Sequence, residues 1–237
     1  MVREEAYPKK LMEDYELIMD ISNPEHPQLR KRVAEEINKH FAGEEISILE
    51  IGSGNGETTK FILEGVENAK VVAVDSDKGM TGRMGENLKK YVESGKLEIV
   101  RGDAFEYLRI LKDESFDCFT ASWTLHNFEK DRRECLLKDV FRVLKSKGFF
   151  IVLDKYYSED PKKAQKDFDF VVKMYEKFVE MKRADLMKEL IEHEKADMGE
   201  DYIMTEKTFT QVMGQIGFGE IRVVERAFRD SVFVAEK

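Results

Sequence analysis

The chain has 237 residues, two cysteines, and 39 Lys and Arg against 48 Asp and Glu, a net charge of −9. That length is enough to bury a large core without a disulfide or metal staple, and no Cys/His cluster has zinc spacing. The acidic balance disfavours a nucleic-acid partner, no apolar run reaches the ~20 residues of a membrane span, and the opening MVREEAYPKK lacks an apolar signal segment, so a cytoplasmic protein is expected.

In chain order, Leu11, Tyr15, Ile18 and Met19 predict a helix over 8–20. Leu29, Val33, Ile37 and Phe41 predict a second over 27–41, stopped by Gly43. The period then changes. Short apolar and β-branched runs predict strands at 46–51, 71–75, 97–100, 116–121 and 149–153, with helical patterns at 57–64, 78–93, 104–111 and 127–145 between them. This alternation predicts an α/β doubly wound parallel sheet covered on both faces. Gly79, Gly82 and Gly85 recur in the 78–93 helix, each at roughly 1 kcal/mol against Ala. Close packing on the sheet and a flexible segment beside a ligand are both open readings. Beyond Leu153 the alternation stops. Residues 160–195 read as helical, with Phe168, Val171, Tyr175, Phe178 and Val179 in one stripe. Thr205 caps a last helix that Gly217 stops, and 220–227 and 230–235 read as two antiparallel strands.

The informative segment is Glu50-Ile51-Gly52-Ser53-Gly54-Asn55-Gly56, where a strand runs through alternating glycines into a helix. Such glycines let a backbone approach a ligand closely. Asp75 ends the second strand 23 residues after Gly52, where a carboxylate can accept ribose hydroxyls. Asp103 ends the third. Three neighbouring strand ends thus present a glycine loop and two acids at the carboxyl edge of the sheet, where open α/β sheets bind ligands. The loop is not the G-x-G-x-x-G of dinucleotide folds, and no P-loop lysine follows. An acid at Glu50 disfavours a pyrophosphate and suits a ligand with ammonium and sulfonium charges. That points to S-adenosyl-L-methionine (SAM).

The set Glu50-x-Gly52-x-Gly54-x-Gly56, Asp75, Gly102-Asp103-Ala104, Phe116-Asp117 and Leu144-Lys145-x-x-Gly148 resembles the class I SAM-dependent methyltransferases over residues 46–154. The resemblance implies a Rossmann-like sheet of seven strands with the last antiparallel, plus a helical cap. It implies that the loop, with Ser53 and Asn55, lies under the methionine part of SAM. It places Asp75 and Ser76 at the ribose and Asp103, Ala104 and Phe105 at the adenine. Ser122 and Trp123, after the fourth strand, fall near the methyl group. Within the superfamily the layout is similar to small-molecule methyltransferases of quinone-biosynthesis type. It is also similar to carboxy-SAM-dependent enzymes that modify the tRNA wobble uridine. The arginine those enzymes use for the extra carboxylate aligns with Ala196, so ordinary SAM is the expected cofactor.

His126 is the candidate general base, because it follows strand four and an imidazole suits proton removal; a pocket-lining role is its alternative. Trp123 reads equally as pocket wall or core. Tyr156 and Tyr157 follow strand five at the same sheet edge and are substrate-binding candidates, as are Tyr15 and Tyr175. His26, His40 and His193 read as surface residues without partners, and no metal is expected.

Four parts are expected: N-terminal helices over 1–45 that close the active site with Tyr7 and Tyr15, a SAM-binding core over 46–154, a helical cap over 155–204, and a closing helix and hairpin over 205–237. Residues 1–45 and 155–204 carry seven of the nine excess negative charges. A neutral or cationic small-molecule acceptor is therefore expected, with no nucleic acid and no membrane; a homodimer is compatible with the reading. The expected function is methyl transfer from SAM to that acceptor. The rivals are an NAD-binding oxidoreductase, which would require the dinucleotide loop missing here, a carboxy-SAM-type tRNA-modifying transferase, and a noncatalytic SAM-binding regulatory protein. A closed pocket beside the methyl group separates the last from the others.

Overall fold

The computed structural model describes residue 11, residues 14–22 and residues 25–237. Seven strands, β1 (Ile46–Ile51), β2 (Ala69–Asp75), β3 (Leu97–Arg101), β4 (Phe116–Ser122), β5 (Leu144–Lys155), β6 (Gly219–Ala227) and β7 (Asp230–Glu236), form one sheet in the order β3-β2-β1-β4-β5-β7-β6. The first five pair in parallel, and β7 is antiparallel to both β5 and β6. The two-residue link between β6 and β7 permits only a hairpin, since a parallel crossover needs a dozen residues or more.

The helices are α1 (Tyr15–Ser22), α2 (His26–Phe41), α3 (Glu57–Gly65), α4 (Lys78–Asn87), α5 (Lys89–Glu93), α6 (Ala104–Ile110), α7 (Lys130–Val143), α8 (Pro161–Glu180), α9 (Ala184–Asp197) and α10 (Glu206–Ile216). Side chains alternate along a strand, so the sheet carries a separate core on each face. Leu49, Ile51, Phe119 and Phe150 pack with Leu108 of α6, Leu137 of α7 and Met213 of α10. Ile48, Val71, Cys118 and Ile151 pack with Val33 of α2, Ile62 of α3 and Met84 of α4. Each fully buried large side chain in these cores is worth about 1.5–3 kcal/mol over exposure. A third core lies off the sheet: Leu11 and Ile18 meet Val171, Tyr175, Phe178, Leu186 and Leu190 of α8 and α9. Asp160 caps α8 by accepting from Lys162 N–H, and Arg183 clamps Asp14 with both terminal nitrogens. No described helix is long and apolar enough to cross a membrane.

The predicted elements differ from the observed ones where local pattern was ambiguous. The predicted 8–20 helix is described only from Leu11 onward and in part, with α1 running on to Ser22; residues 8–10, 12 and 13, and Tyr7, lie outside the described residues. The 78–93 helix breaks at Leu88. The 127–145 helix begins only at Lys130, after a 3-10 turn at Leu125–Asn127, and Leu144 already belongs to β5. The 160–195 segment is two helices, parted at Lys182, whose φ is 60°. A Cβ on Gly82 would meet nothing within 4 Å, so close packing does not account for that glycine. Gly82→Ala is expected to stabilise the protein by about 1 kcal/mol, read from the urea midpoint.

From β1 the chain turns one way to β2, and β4 lies on β1's other side. Such a reversal of strand order leaves a crevice beyond the carboxyl ends of the two strands, the usual ligand position in an open α/β sheet.

Candidate active site

β1 delivers the chain into the glycine loop at that crevice. Gly52 has φ of 69° and Gly54 of 56°, the left-handed region that favours glycine. A Cβ on Gly52 would lie 2.2 Å from Thr124 Oγ1 in the loop after β4, so only glycine lets these loops touch. A Cβ on Gly54 would meet nothing within 4 Å; that stretch of backbone faces open space. Asp75 ties the loop to β2. Its Oδ2 accepts from Gly54 N–H and its Oδ1 from Asp77 N–H, each at 2.8 Å. Both oxygens keep lone pairs for ligand hydroxyls.

A cavity of about 180 Å³ opens between this loop, the end of β4 and the cap. The core contributes Glu50, Gly52, Ser53, Gly54, Asn55, Ser122, Trp123 and His126 to its wall. The helices α1 and α2 add Tyr15, His26 and Arg30, and the cap adds Met174, Tyr175 and His193. Buried polar atoms without a protein partner gather on this wall: Ser53 Oγ, Ser122 Oγ, Trp123 Nε1, Asn127 Oδ1 and Arg30 Nε. Buried polar groups are normally hydrogen-bonded, so such a cluster marks the seat of a polar ligand.

Glu50 is 1% exposed, and its Oε2 accepts from Thr59 Oγ1 at 2.6 Å. Burial pushes its carboxyl up to about 7. Trp123 has φ of 49°, and its ring meets two side chains of α2, an imidazole and a guanidinium. The His26 ring centre lies 3.6 Å away and the Arg30 guanidinium carbon 5.1 Å away. Burial pushes His26 down, although Asp230 Oδ2 lies 3.4 Å from its Nε2.

His126 is 6% exposed and its Nδ1 lies 2.6 Å from Asp154 Oδ1 at the end of β5. Asp154 is wholly buried. Burial raises its carboxyl, but the His126 imidazole and the N–H groups of Lys155 and Leu125 more than offset this and hold it below the usual range. An ionised carboxylate only accepts, so Nδ1 carries the hydrogen and Nε2 the lone pair. Beside this pair, Lys155 Nζ bonds Asp197 Oδ2 at 2.5 Å and Glu194 Oε1 at 3.4 Å, and Arg229 bonds Glu194 Oε2 at 3.0 Å. Burial raises Glu194, yet Lys155 and Arg229 bring it down to about 2.

Several sequence expectations need correction. Tyr156 is not at the cavity: it packs in the core against Phe209 and Phe233. Tyr157 lies behind the wall, its hydroxyl 3.4 Å from Glu194 Oε2. His26 is buried, His40 stacks on Phe149 at 4.2 Å and lies 3.9 Å from Glu236, and His193 lines the cavity 3.7 Å from Asp197. None of the three is a free surface residue. Gly56, Asp75, Ser76, Asp103, Ala104 and Phe105 stand outside the cavity wall, along the adjoining ends of β1, β2 and β3. Asp103 caps α6, accepting from Phe105 and Glu106 N–H. Sequence reasoning missed Arg30, Asp154, Lys155, Glu194, Asp197 and Arg229. The one signal available was an acid ending strand five, in the same position as Asp75 on strand two.

Residues 48–148, which run from β1 into β5 and hold the glycine loop, Asp75 and His126, match the family described as methyltransferase domain. Residues 48–148 form a SAM-dependent methyltransferase domain of class I. Carboxy-S-adenosyl-L-methionine synthase of Shewanella halifaxensis is 28% identical over 85% of this chain and 80% of its own length. The enzyme of the same name from Nautilia profundicola is 26% identical over 85% and 82%. A SAM-dependent methyltransferase structure from Aquifex aeolicus shares the fold at a TM-score of 0.59, 18% identity, and 93% and 97% coverage. SAM is the cofactor of this methyltransferase. The site fits it. The unpartnered donors on the wall suit its carboxylate, the open space above Gly54 accommodates a ligand against backbone, and the buried Glu50 suits a cation. Asp75→Ala is expected to weaken SAM binding more than tenfold by calorimetry; unchanged affinity would refute the assignment of Asp75 to the ribose.

Proposed function

We propose that this enzyme transfers the SAM methyl group to a neutral small molecule held under the cap, with His126 as the general base. The observation that carries this is the His126–Asp154 pair on the wall of the same cavity as the glycine loop. SAM, when bound, supplies an electrophilic methyl on a sulfonium. The chain does the rest. Glu50 and the loop hold the charged end of the cofactor, Arg30 takes its carboxylate, and Asp75 takes the ribose. The cap over 155–204 and helices α1 and α2 exclude water, which strengthens alignment and charge effects inside the site. Asp154 orients His126 and stabilises its imidazolium once Nε2 has accepted the acceptor's proton. Lys155, Arg229, Glu194 and Asp197 neutralise one another, so a neutral acceptor brings no unpaired charge into the wall. Incubation of a metabolite extract with methyl-labelled SAM and mass spectrometry tests this: a labelled small molecule is expected, and label in tRNA alone would overturn it.

A second reading is carboxy-SAM chemistry. It is favoured by the extent of the relatives so named, which match 85% of this chain and so reach the cap. Ala196 stands where the carboxy-SAM-dependent tRNA-modifying enzymes are expected to place an arginine, which speaks against use of carboxy-SAM on tRNA rather than against its synthesis. Mass spectrometry of the nucleosides formed from SAM in a metabolite extract separates the two, since the second predicts a carboxylated SAM whose added carboxyl group comes from a carboxyl donor in the extract.

A further inference from the structure

His126 also belongs to a second constellation, with His193 on the cavity wall and the buried Asp197, neither of which the proposed proton transfer uses. One imidazole nitrogen each of His126 and His193 and a carboxylate oxygen of Asp197 lie within 4.8 Å of one another. His193 and Asp197 are four residues apart on α9, so they leave the helix on one face, with Nε2 and Oδ2 3.7 Å apart. Metal bonds of ~2.0–2.2 Å at near-tetrahedral angles separate donors by about 3.4 Å, so small side-chain rotations close the cluster around an ion. His126 comes from the core, after β4. Its Nδ1 is held by Asp154, which leaves Nε2 as the nitrogen that can bind. A carboxylate behind an imidazole is the arrangement that fixes the tautomer and raises the basicity of a metal-bound histidine.

We propose that His126, His193 and Asp197 bind a divalent transition ion of the zinc type, with Asp154 as the orienting group behind His126. Two imidazoles and one carboxylate suit Zn²⁺ and Co²⁺ better than Mg²⁺ or Ca²⁺, which take oxygen donors. Three protein donors leave at least one position for water or a ligand. Lys155 Nζ also bonds Asp197 Oδ2, and a carboxylate has lone pairs enough for both partners. Two consequences follow from where the donors sit. The ion joins the loop after β4 to the cap helix α9, so it ties the cap to the core. It also occupies the Nε2 lone pair, so a bound ion and proton acceptance by His126 exclude each other. This second consequence rests on the proposed role of His126; the binding itself does not.

The test uses the resting protein with no acceptor present. Protein stripped with a chelator and titrated with Co²⁺ is expected to take up one equivalent, with the visible spectrum of nitrogen–oxygen coordination. Zn²⁺ displaces the colour and raises the melting temperature. Asp154→Asn is expected to weaken Co²⁺ binding roughly 10–100-fold, the usual effect of losing a group behind a ligand. His193→Ala and Asp197→Asn are expected to abolish stoichiometric uptake. SAM affinity, measured in parallel without metal, reports whether each variant is folded, and His193→Gln replaces an alanine variant that does not fold. No stoichiometric spectrum with the wild-type protein, or equal uptake by the His193 and Asp197 variants, would overturn the site. Because neither readout involves turnover, failure of metal binding leaves the methyl-transfer reading standing, and absence of a methylated product leaves the metal site standing.

Discussion

Replacing His126 with alanine is expected to slow methyl transfer by roughly 10²–10⁴-fold, the usual worth of a positioned acid–base group, with SAM affinity unchanged. The separation of the two effects follows from position. His126 leaves the sheet after β4 and is anchored to β5 through Asp154, whereas Glu50 and Asp75 belong to β1 and β2 on the other side of the crevice. Asp154 also accepts from Thr124 N–H at 3.2 Å and Leu125 N–H at 2.7 Å, so one carboxylate shapes the whole turn that presents the imidazole. Asp154→Asn keeps an acceptor for Leu125 but removes the charge that stabilises an imidazolium. It is expected to lower the rate as well, and to a lesser extent than loss of the imidazole. Single-turnover kinetics with labelled SAM reads the chemical step directly. A His126→Ala enzyme with the wild-type rate would remove His126 as the base.

Glu50→Gln is expected to stabilise the SAM-free protein at neutral pH while weakening SAM binding. The folded carboxyl titrates at about 7 and the ordinary one at 4.5. Below pH 4.5 both states hold the proton and the two proteins differ little. As pH rises toward 7 the unfolded chain ionises and the folded one does not, so the wild type loses stability, by an amount on the order of 3 kcal/mol. Above about 7 the loss is complete. His26, pushed down by burial, works in the opposite sense, since its contribution is lost as pH falls through its folded value; it is present in both proteins and cancels in the comparison. Urea unfolding at pH 5 and pH 8 measures the difference. A gap that does not widen with pH would refute the buried-carboxyl account. SAM is expected to restore the wild type at pH 8, because a cation beside Glu50 compensates the buried charge, and the glutamine variant is expected to gain less.

The parallel strands were legible because each is an apolar run bounded by turn residues, and burial on both faces demands that composition wherever the strand lies. The glycine loop was legible for a related reason: a backbone that must adopt positive φ against Thr124 tolerates almost nothing else, so the requirement is written at Gly52 itself. Helix ends were less legible. The break at Leu88 and the switch from α7 to β5 at Leu144 depend on what the chain packs against, and both neighbours carry ordinary helix-forming residues.

The residues around the cavity divide along the same line. Glu50, Gly52, Gly54 and Asp75 lie within 26 residues of one another, at consecutive strand ends, and strand alternation alone brings them to one edge. The partners of His126 are Asp154, which is 28 residues away, and the cap residues His193 and Asp197 beyond it. No local spacing encodes those meetings. They follow from the order in which β4 and β5 pair and from the docking of α8 and α9 over the crevice. The same holds for charge. The excess of acid in 1–45 and 155–204 was plain in composition, but the cavity wall also presents Arg30, Lys155 and Arg229, because a segment's net charge does not say which of its residues the fold brings to the cavity. Nearest-neighbour pattern was therefore sufficient for the glycine-loop side of the cavity, and the opposite side exists only where α8 and α9 pack over the sheet.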